Sequence, residues 1–280
     1  MENSRPYFSL AAEGDLPDII SLWQVCFYDE EALVRRFFDS IRLRENVIIA
    51  KMDNRVVAHT SAVPIELRLP GRKMRGIYIY AACVSPENRG MGIFRQLMDY
   101  VDRYAAEREL DFIMLIPASL ALAETYRRFG YSCEIGGIAP VGESKRYGLV
   151  LSSEELSVLS LSDFDGDYDR LYQIYIQNEK KGFIKPRGFF EYTLRESIPA
   201  VKISMINRAD NTPAGFVVTS PAEGKKLLNI LQIVFSDDIN NDIIANIKKK
   251  STPYPKALCK MCDGSICDFS DIMVDMYGEF

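Results

Sequence analysis

The chain has 280 residues, 48% hydrophobic composition and a net charge of −5. This length suits one large domain or two ordinary ones, and the acidic balance argues against a nucleic-acid partner. No apolar run reaches the ~20 residues of a membrane span, and the first residues do not form a signal peptide, so we expect a cytoplasmic protein that does not bind membranes.

The first half of the chain shows a regular alternation of helical and strand patterns, in the order βααβββαβα. An Asp53-Asn54 turn joins two of the strands into a hairpin. The predicted elements are strand 7–11, helices 16–27 and 31–41, strands 46–51, 56–69 and 77–84, a helix from Ile93, strand 112–116 and helix 119–128. This order predicts an α/β protein with a mixed sheet.

A turn and a glycine-rich segment, Arg89-Gly90-Met91-Gly92, connect strand 77–84 to the long helix. The N–H groups of a helix's first turn have no intrahelical partner, and the helix dipole is positive there. The glycines let the backbone approach an anion, and Arg89 adds a cation. We therefore expect a phosphate or pyrophosphate site, although an ordinary helix cap would use the same residues. Neither a P-loop nor a GxGxxG motif is present.

The segment VSPENRGMGIF resembles the acetyl-coenzyme A loop of the GNAT superfamily of N-acetyltransferases, whose pattern is [QR]-x-x-G-x-[GA]. Arg89 and Gly92 fill its first and fourth positions, whereas Phe94 stands where glycine or alanine is usual. The later family motif, an aromatic residue before x-x-x-Gly-[Phe/Tyr], is matched by Tyr126 to Tyr131. The chain is most similar to the Eis-type (enhanced intracellular survival) branch, which has tandem GNAT-like halves.

The resemblance implies an N-acetyltransferase that moves an acetyl group from acetyl-CoA to a primary amine. It also implies that strands 77–84 and 112–116 splay apart to admit the cofactor. The cofactor-binding residues that we expect are Ala82, Cys83, Val84, Arg89, Gly90, Met91, Gly92, Ile93, Phe94 and Arg95. The acidic balance favours a cationic small-molecule or peptide amine. Assembly into a homo-oligomer stays possible. Two alternative functions also stay open: a non-catalytic acyl-CoA sensor, and an aminoacyl- or longer-chain acyltransferase. In the second alternative, Phe94 and Phe112 would fill or shape the site of the acyl end.

Tyr126 is the expected catalytic residue, as the proton donor to the leaving thiolate. A tyrosine of pKa ~10 donating to a thiol of pKa ~8.5 is uphill by only roughly 2 kcal/mol. The general base that deprotonates the amine stays open between water and a carboxylate such as Glu66. His59 lies on a predicted strand, where a histidine is more often a core residue than a base. The resemblance adds one more candidate for the general base, the C-terminal carboxylate, which in this chain belongs to Phe280.

The second half, 151–280, repeats the pattern of the first half, 1–150, and predicts a degenerate GNAT-like domain after a catalytic one. Its elements are helices 164–178 and 188–194 and strands 201–206, 214–219 and 227–235. The loop that follows, 236–242, has no glycine and three aspartates, which would repel a pyrophosphate. We therefore expect this half to be structural, or to form a wall of the substrate site.

Six cysteines occur, and in a reducing cytoplasm we expect all of them to be free thiols. Cys83 fits a small buried hydrophobic residue better than a nucleophile. Cys259, Cys262 and Cys267 provide three ligands with no histidine nearby, so we expect no metal.

Overall fold

The computed structural model describes residues 5–135, 149–152, 159–179, 182–196, 201–221, 227–236 and 257–265. The helices in these ranges are α1 (Leu16–Phe27), α2 (Glu31–Ile41), α3 (Leu43–Asn46), α4 (Ile93–Glu107), α5 (Leu120–Arg127), α6 (Tyr168–Asn178) and α7 (Arg187–Arg195). The helices that the sequence predicts are therefore present, and α3 is a short addition before the first hairpin.

The strands in the described ranges form two sheets. They are β1 (Tyr7–Leu10), β2 (Val47–Met52), β3 (Arg55–Leu69), β4 (Arg72–Val84), β5 (Phe112–Leu115), β6 (Cys133–Ile135), β7 (Leu149–Ser152), β8 (Leu161–Asp163), β9 (Gly182–Ile184), β10 (Lys202–Asn207), β11 (Pro213–Pro221), β12 (Leu227–Phe235) and β13 (Ala257–Met261). The expected mixed α/β architecture is confirmed.

Local sequence signals explain where several elements begin and end. Asp53 and Asn54 both have positive φ values, 48° and 62°, as a tight type I′ hairpin requires. The Ser119 side chain caps α5 by accepting a hydrogen bond from the Leu122 N–H at 3.1 Å. Gly130, at φ +90°, ends the turn that follows this helix.

The first sheet has the order β1-β2-β3-β4-β5-β13-β6, with β9 paired to the far end of β3. Its pairs are antiparallel except for β4 and β5, which run parallel. Strand β13 lies between β5 and β6, where Cys259 is opposite both Met114 and Cys133. Segments after residue 150 therefore complete the first sheet, and the domain boundary near 150 stays a prediction.

Helices cover both faces of the first sheet. On one face α1 and α2 bury Trp23 and Phe37 against the sheet, together with Tyr80 of β4. On the other face α4 buries Leu97 and Val101 against a second apolar cluster. The sheet is therefore buried on both sides, as a parallel strand pair requires.

The second sheet has the order β7-β12-β11-β10-β8, and its pairs are antiparallel. The series β8, α6, α7, β10, β11, β12 repeats the series β1, α1, α2, β2, β3, β4, with β9 as an insertion. Strand β12 also has a register shift against β11, as β4 has against β3. These parallels agree with an internal duplication, which stays a prediction.

The two halves meet where α7 packs on α2. Gly188 lies so close to α2 that a Cβ atom there would be 2.3 Å from the Ser40 carbonyl oxygen. Arg36 and Glu196 form an ion pair across this contact at 2.8 Å. Only glycine therefore fits at position 188 with the helices at this separation.

The redox state of the cysteines agrees only in part with the expectation that all six are free thiols. Cys26, Cys83, Cys259 and Cys262 are free thiols, and Cys83 is buried as expected. Cys133 is disulfide-bonded, so the prediction that all six cysteines are free is wrong.

Two further expectations concern membranes and metals. Among the described residues no helix is long and apolar enough to cross a bilayer. The same residues contain no group of three or more potential metal ligands. Cys267, the third ligand of the zinc alternative, lies outside the described residues.

We predict that Gly188→Ala destabilises the protein by about 1–3 kcal/mol, because the new methyl group forces α7 away from α2. Gly14→Ala is the matched control, since a Cβ atom at Gly14 meets nothing within 4 Å. Its effect should stay within about 0.5 kcal/mol. Urea unfolding of both variants measures the difference, and equal stabilities would contradict the close helix contact.

Candidate active site

The two central strands of the first sheet diverge in the middle of β4. Pairing between β4 and β5 extends from Gly76 opposite Phe112 to Ile79 opposite Leu115. Strand β5 ends at Leu115, whereas β4 continues to Val84 along β3. Among the described residues, the last residues of β4 therefore have a ladder partner on the β3 side only, which is the opening that the resemblance implied.

A β-bulge lies at this divergence. Ser61 is opposite Tyr80 and His59 is opposite Cys83, so β4 has one residue more than β3 between these pairs. Ala81 adopts a left-handed φ of +52° there. Bulges re-aim backbone groups and are frequent near functional sites. Here the bulge turns the end of β4 just before the predicted phosphate loop.

Strand register determines which amides of β4 face the open edge. The Ser85 N–H donates to the Val57 carbonyl at 2.8 Å, so it points toward β3. Successive N–H groups of a strand point to opposite sides. The Val84 N–H therefore faces the open edge, together with that of Ala82, while the Cys83 N–H points toward β3. The register favours Ala82 and Val84 over Cys83 as donors to a ligand.

The glycine-rich segment leads from the open edge into α4. Gly90 and Gly92 have φ values of +79° and +76°, which favour glycine strongly. A Cβ atom at either position would meet nothing within 4 Å. Arg89 and Met91 are exposed beside them. The segment therefore presents main-chain N–H groups at an open surface, beside the positive end of a helix of 15 residues.

Arg89 is exposed, but its side chain also contacts β4 and α1. Its Nε donates to the Val84 carbonyl at 3.2 Å, and its Nη2 is 3.9 Å from the Cys26 sulfur of α1. The guanidinium still has further donors in its planar fork. Arg89 can therefore contribute charge to the loop without leaving the strand.

The next residues of the predicted set join α4 to α5. Ile93 is buried, whereas Arg95 is exposed and places its guanidinium 5.1 Å from the centre of the Phe129 ring. The Phe94 ring lies 5.8 Å from both Tyr126 and Phe129. The large residue at 94 therefore packs against α5 and the turn that follows it.

Tyr126 is only 7% exposed, between Phe94 and Tyr131. Burial raises the pKa of Tyr126 to about 12. Transfer of its proton to a thiolate of ordinary pKa ~8.5 is then uphill by about 5 kcal/mol, more than the sequence suggested. This environment favours a hydrogen-bond donor over a residue that fully loses its proton.

The base candidates lie in different places. Glu66 is opposite Arg75, about 17 Å along β4 from Tyr80, and forms an ion pair with Arg68 at 2.6 Å. His59 is fully buried and stacks on Trp23 at 5.6 Å. The structure therefore separates Glu66 from the open edge. Phe280 lies outside the described residues.

Phe112 does not lie at the open end of the strands. It is opposite Gly76, where a Cβ atom would be 2.5 Å from the Phe112 ring, and it contacts Phe183 at 5.9 Å. This is the far end of the paired stretch, about 10 Å from Leu115. This position does not favour a contact between Phe112 and an acyl group at the open edge, and that suggested role stays a prediction.

An aromatic wall from both halves lies behind β4. Tyr80 stacks on Phe37 at 4.7 Å and contacts Phe189 of α7 at 6.0 Å. Tyr192 of α7 contacts Phe37 at 5.5 Å. The second half therefore contributes side chains to the core directly behind the bulge.

Sequence reasoning missed two neighbours of this site. Thr60 lies opposite the bulge and donates its hydroxyl to the Tyr80 carbonyl at 3.3 Å. Cys26, near the end of α1, lies beside Arg89. No local pattern marks either residue, because both contacts join segments that are distant in sequence.

A comparison with protein families finds a match in the N-terminal region of the chain. Residues 8–133 match the family model described as an acetyltransferase (GNAT) domain. No curated protein matches the chain. This match covers less than half of the chain and includes the divergent strands, the glycine-rich segment and Tyr126.

Solved structures extend the fold comparison to almost the whole chain. A probable N-acyltransferase from Enterococcus faecalis, otherwise of unknown function, is 14% identical with a TM-score of 0.68, over 93% of this chain and 73% of that one. A GCN5-related N-acetyltransferase from Anabaena variabilis is 16% identical with a TM-score of 0.65, over 92% and 66%. Eis1 from Mycobacterium abscessus is 14% identical with a TM-score of 0.64, over 92% and 74%. These likenesses show a shared fold, and all three proteins are longer than this chain.

His59 generates a prediction about pH. Burial lowers the pKa of His59 to about 3, and neither ring nitrogen has a hydrogen-bond partner among the described residues. The unfolded chain therefore binds a proton at this residue between pH ~6.5 and ~3 while the folded protein does not, so stability falls as pH falls through that window.

Replacing His59 by phenylalanine should remove this pH dependence while keeping a ring against Trp23. We expect wild type to lose about 2 kcal/mol more than His59→Phe between pH 7 and pH 5 in urea unfolding. Equal losses in the two proteins would show that His59 is not held neutral in the fold.

Proposed function

We propose that the protein is an N-acetyltransferase that transfers an acetyl group from acetyl-CoA to a primary amine. One observation carries the proposal: β4 separates from β5 after Ile79 and leads directly into the glycine-rich segment before α4. An open strand edge followed by an anion site suits an extended ligand that ends in a diphosphate.

The residues present fit such a ligand. Open space at Gly90 and Gly92 leaves the main-chain N–H groups of the loop accessible, and Arg89 supplies a positive charge. We assign the diphosphate to residues 89–95 and the pantetheine arm to the open edge at Ala82 and Val84. When bound, acetyl-CoA would supply the activated acyl group.

The chain's own residues then act by binding and orientation. Main-chain N–H groups on the open edge of β4 are suited to bind a carbonyl oxygen on which negative charge develops. Tyr126 donates a hydrogen bond to the departing sulfur. Because its pKa is raised to about 12, Tyr126 remains protonated at neutral pH and is available for this role.

The second half, 151–280, has a supporting role in this proposal, as a degenerate GNAT-like domain in an Eis-type tandem arrangement. Phe189 and Tyr192 of α7 support the wall behind Tyr80. The acidic net charge of −5 favours a cationic amine as acceptor.

A thiol-release assay tests the proposed function. Purified protein is incubated with acetyl-CoA and a panel of amines: polyamines, aminoglycosides and lysine peptides. Amine-dependent release of free CoA is expected with at least one class. Binding of CoA without release from any amine would contradict the proposal and favour an acyl-CoA sensor. Faster release from longer acyl-CoA would redirect it to a longer-chain acyltransferase.

Tyr126→Phe should lower kcat at least tenfold, because the sulfur loses its hydrogen-bond donor. The affinity for CoA, measured by calorimetry, should stay within about threefold, since the ring still packs against Phe94. Tyr131→Phe is the matched control on the neighbouring buried tyrosine and should retain most of the turnover. Wild-type turnover in Tyr126→Phe would remove the proposed role.

A further inference from the structure

Two free cysteines and an arginine meet where the end of α1 contacts β4. The Cys26 sulfur lies 3.8 Å from the Val84 carbonyl oxygen and 3.9 Å from Arg89 Nη2. The Cys26 side chain also packs against the apolar cluster that contains Cys83. Three elements that are distant in sequence, α1, β4 and the glycine-rich segment, therefore converge on one sulfur atom.

The surroundings favour a thiolate at Cys26. The hydrogen bond from the Cys83 thiol, opposed by burial and aided by the charge of Arg89, lowers the pKa of Cys26 to about 6. Glu87 raises this pKa slightly, and His59, on the strand beside Cys83, is neutral. Burial raises the pKa of Cys83, and its hydrogen bond to Cys26 raises it further. The two pKa values shift in opposite directions, so deprotonation is favoured at Cys26 over Cys83.

Access also differs between the two cysteines. Cys26 is partly exposed near the protein surface, whereas Cys83 is only 7% exposed behind it. A small oxidant can therefore reach Cys26 first. This arrangement, an accessible thiolate beside a protected thiol, is typical of a cysteine that reacts and a second one that resolves the product.

We propose that Cys26 is an oxidation site for hydroperoxides and that Cys83 resolves the product to a Cys26–Cys83 disulfide. The Cys26 thiolate attacks the peroxide oxygen and becomes a sulfenic acid, and the peroxide leaves as hydroxide or alkoxide. The Cys83 sulfur then attacks the Cys26 sulfur, and the sulfenic oxygen leaves as water with the thiol proton. The peroxide is reduced and the two cysteines are oxidised.

The site is linked to the glycine-rich segment through Arg89. This linkage, unlike the reactivity itself, rests on the proposed function, in which Arg89 also attracts a diphosphate. A ligand that draws the guanidinium away from Cys26 weakens the stabilisation of the thiolate. We therefore expect acetyl-CoA, which has no free thiol, to slow the reaction of Cys26 with peroxide.

Cys262 provides an internal control in the same protein. It is exposed, but burial of its sulfur and the nearby carboxylates of Asp102, Asp111 and Asp263 raise the pKa of Cys262 to about 11, against a small opposing effect of Lys260. Exposure alone predicts that Cys262 reacts before Cys26. The charges around the two sulfur atoms predict the opposite order.

The experiment measures alkylation by iodoacetamide at pH 7 in the folded wild-type protein, with each cysteine quantified by peptide mass spectrometry. Cys26 should react at least tenfold faster than Cys262, and its rate should have a pH midpoint below 7. Cys262 reacting as fast as Cys26, or faster, would overturn the proposal.

Peroxide treatment tests the resolving step. Wild type should yield a Cys26–Cys83 disulfide peptide, whereas Cys83→Ala should accumulate a sulfenic acid at Cys26 that dimedone traps. Sulfinic or sulfonic acid at Cys26 of wild type, without the disulfide, would overturn the role of Cys83. Saturating acetyl-CoA should slow oxidation at least threefold. Rapid Cys26 oxidation that acetyl-CoA does not slow would count against the diphosphate site at Arg89, and would leave the thiol pair supported.

Discussion

The separation of β4 from β5 beyond Ile79 is the constraint on which the rest of the site depends. Main-chain polar groups at the end of a buried strand need hydrogen-bond partners. On the edge of β4 that faces β5, the strand β5 no longer provides them. The bulge at Ala81 turns the strand, and the glycines at 90 and 92 lead it into α4. The open edge of β4 thus leads into the proposed anion site, and Phe94 of α4 contacts Tyr126.

The rest of the chain holds this opening in place. Strand β13, from near the C-terminal end, pairs with β5 and β6, so β5 stays fixed on its other side. Lys260 of this strand forms an ion pair with Asp102 of α4 at 2.7 Å. Helix α7 supports the aromatic wall behind β4. The second half therefore contributes to the frame of the first.

Much of this architecture could be predicted from the sequence, because helical and strand periodicity is a local signal. The helices α1 and α2 and the hairpin at Asp53 follow from spacing and turn chemistry. The insertion of β13 could not be predicted, since pairing across more than a hundred residues leaves no local pattern. The left-handed conformation of Ala81 is set by the register of β3 and β4. The position of Phe112 opposite Gly76 depends on the register of β5 against β4, which is also a tertiary feature.

A crystal structure with bound CoA tests the central claim most directly. The account predicts a diphosphate within hydrogen-bond distance of the main-chain N–H groups of residues 90–95, and a pantetheine arm along the open edge at Ala82 and Val84. Nucleotide density on the second sheet, or a CoA-bound structure in which β4 and β5 pair beyond Ile79, would contradict it.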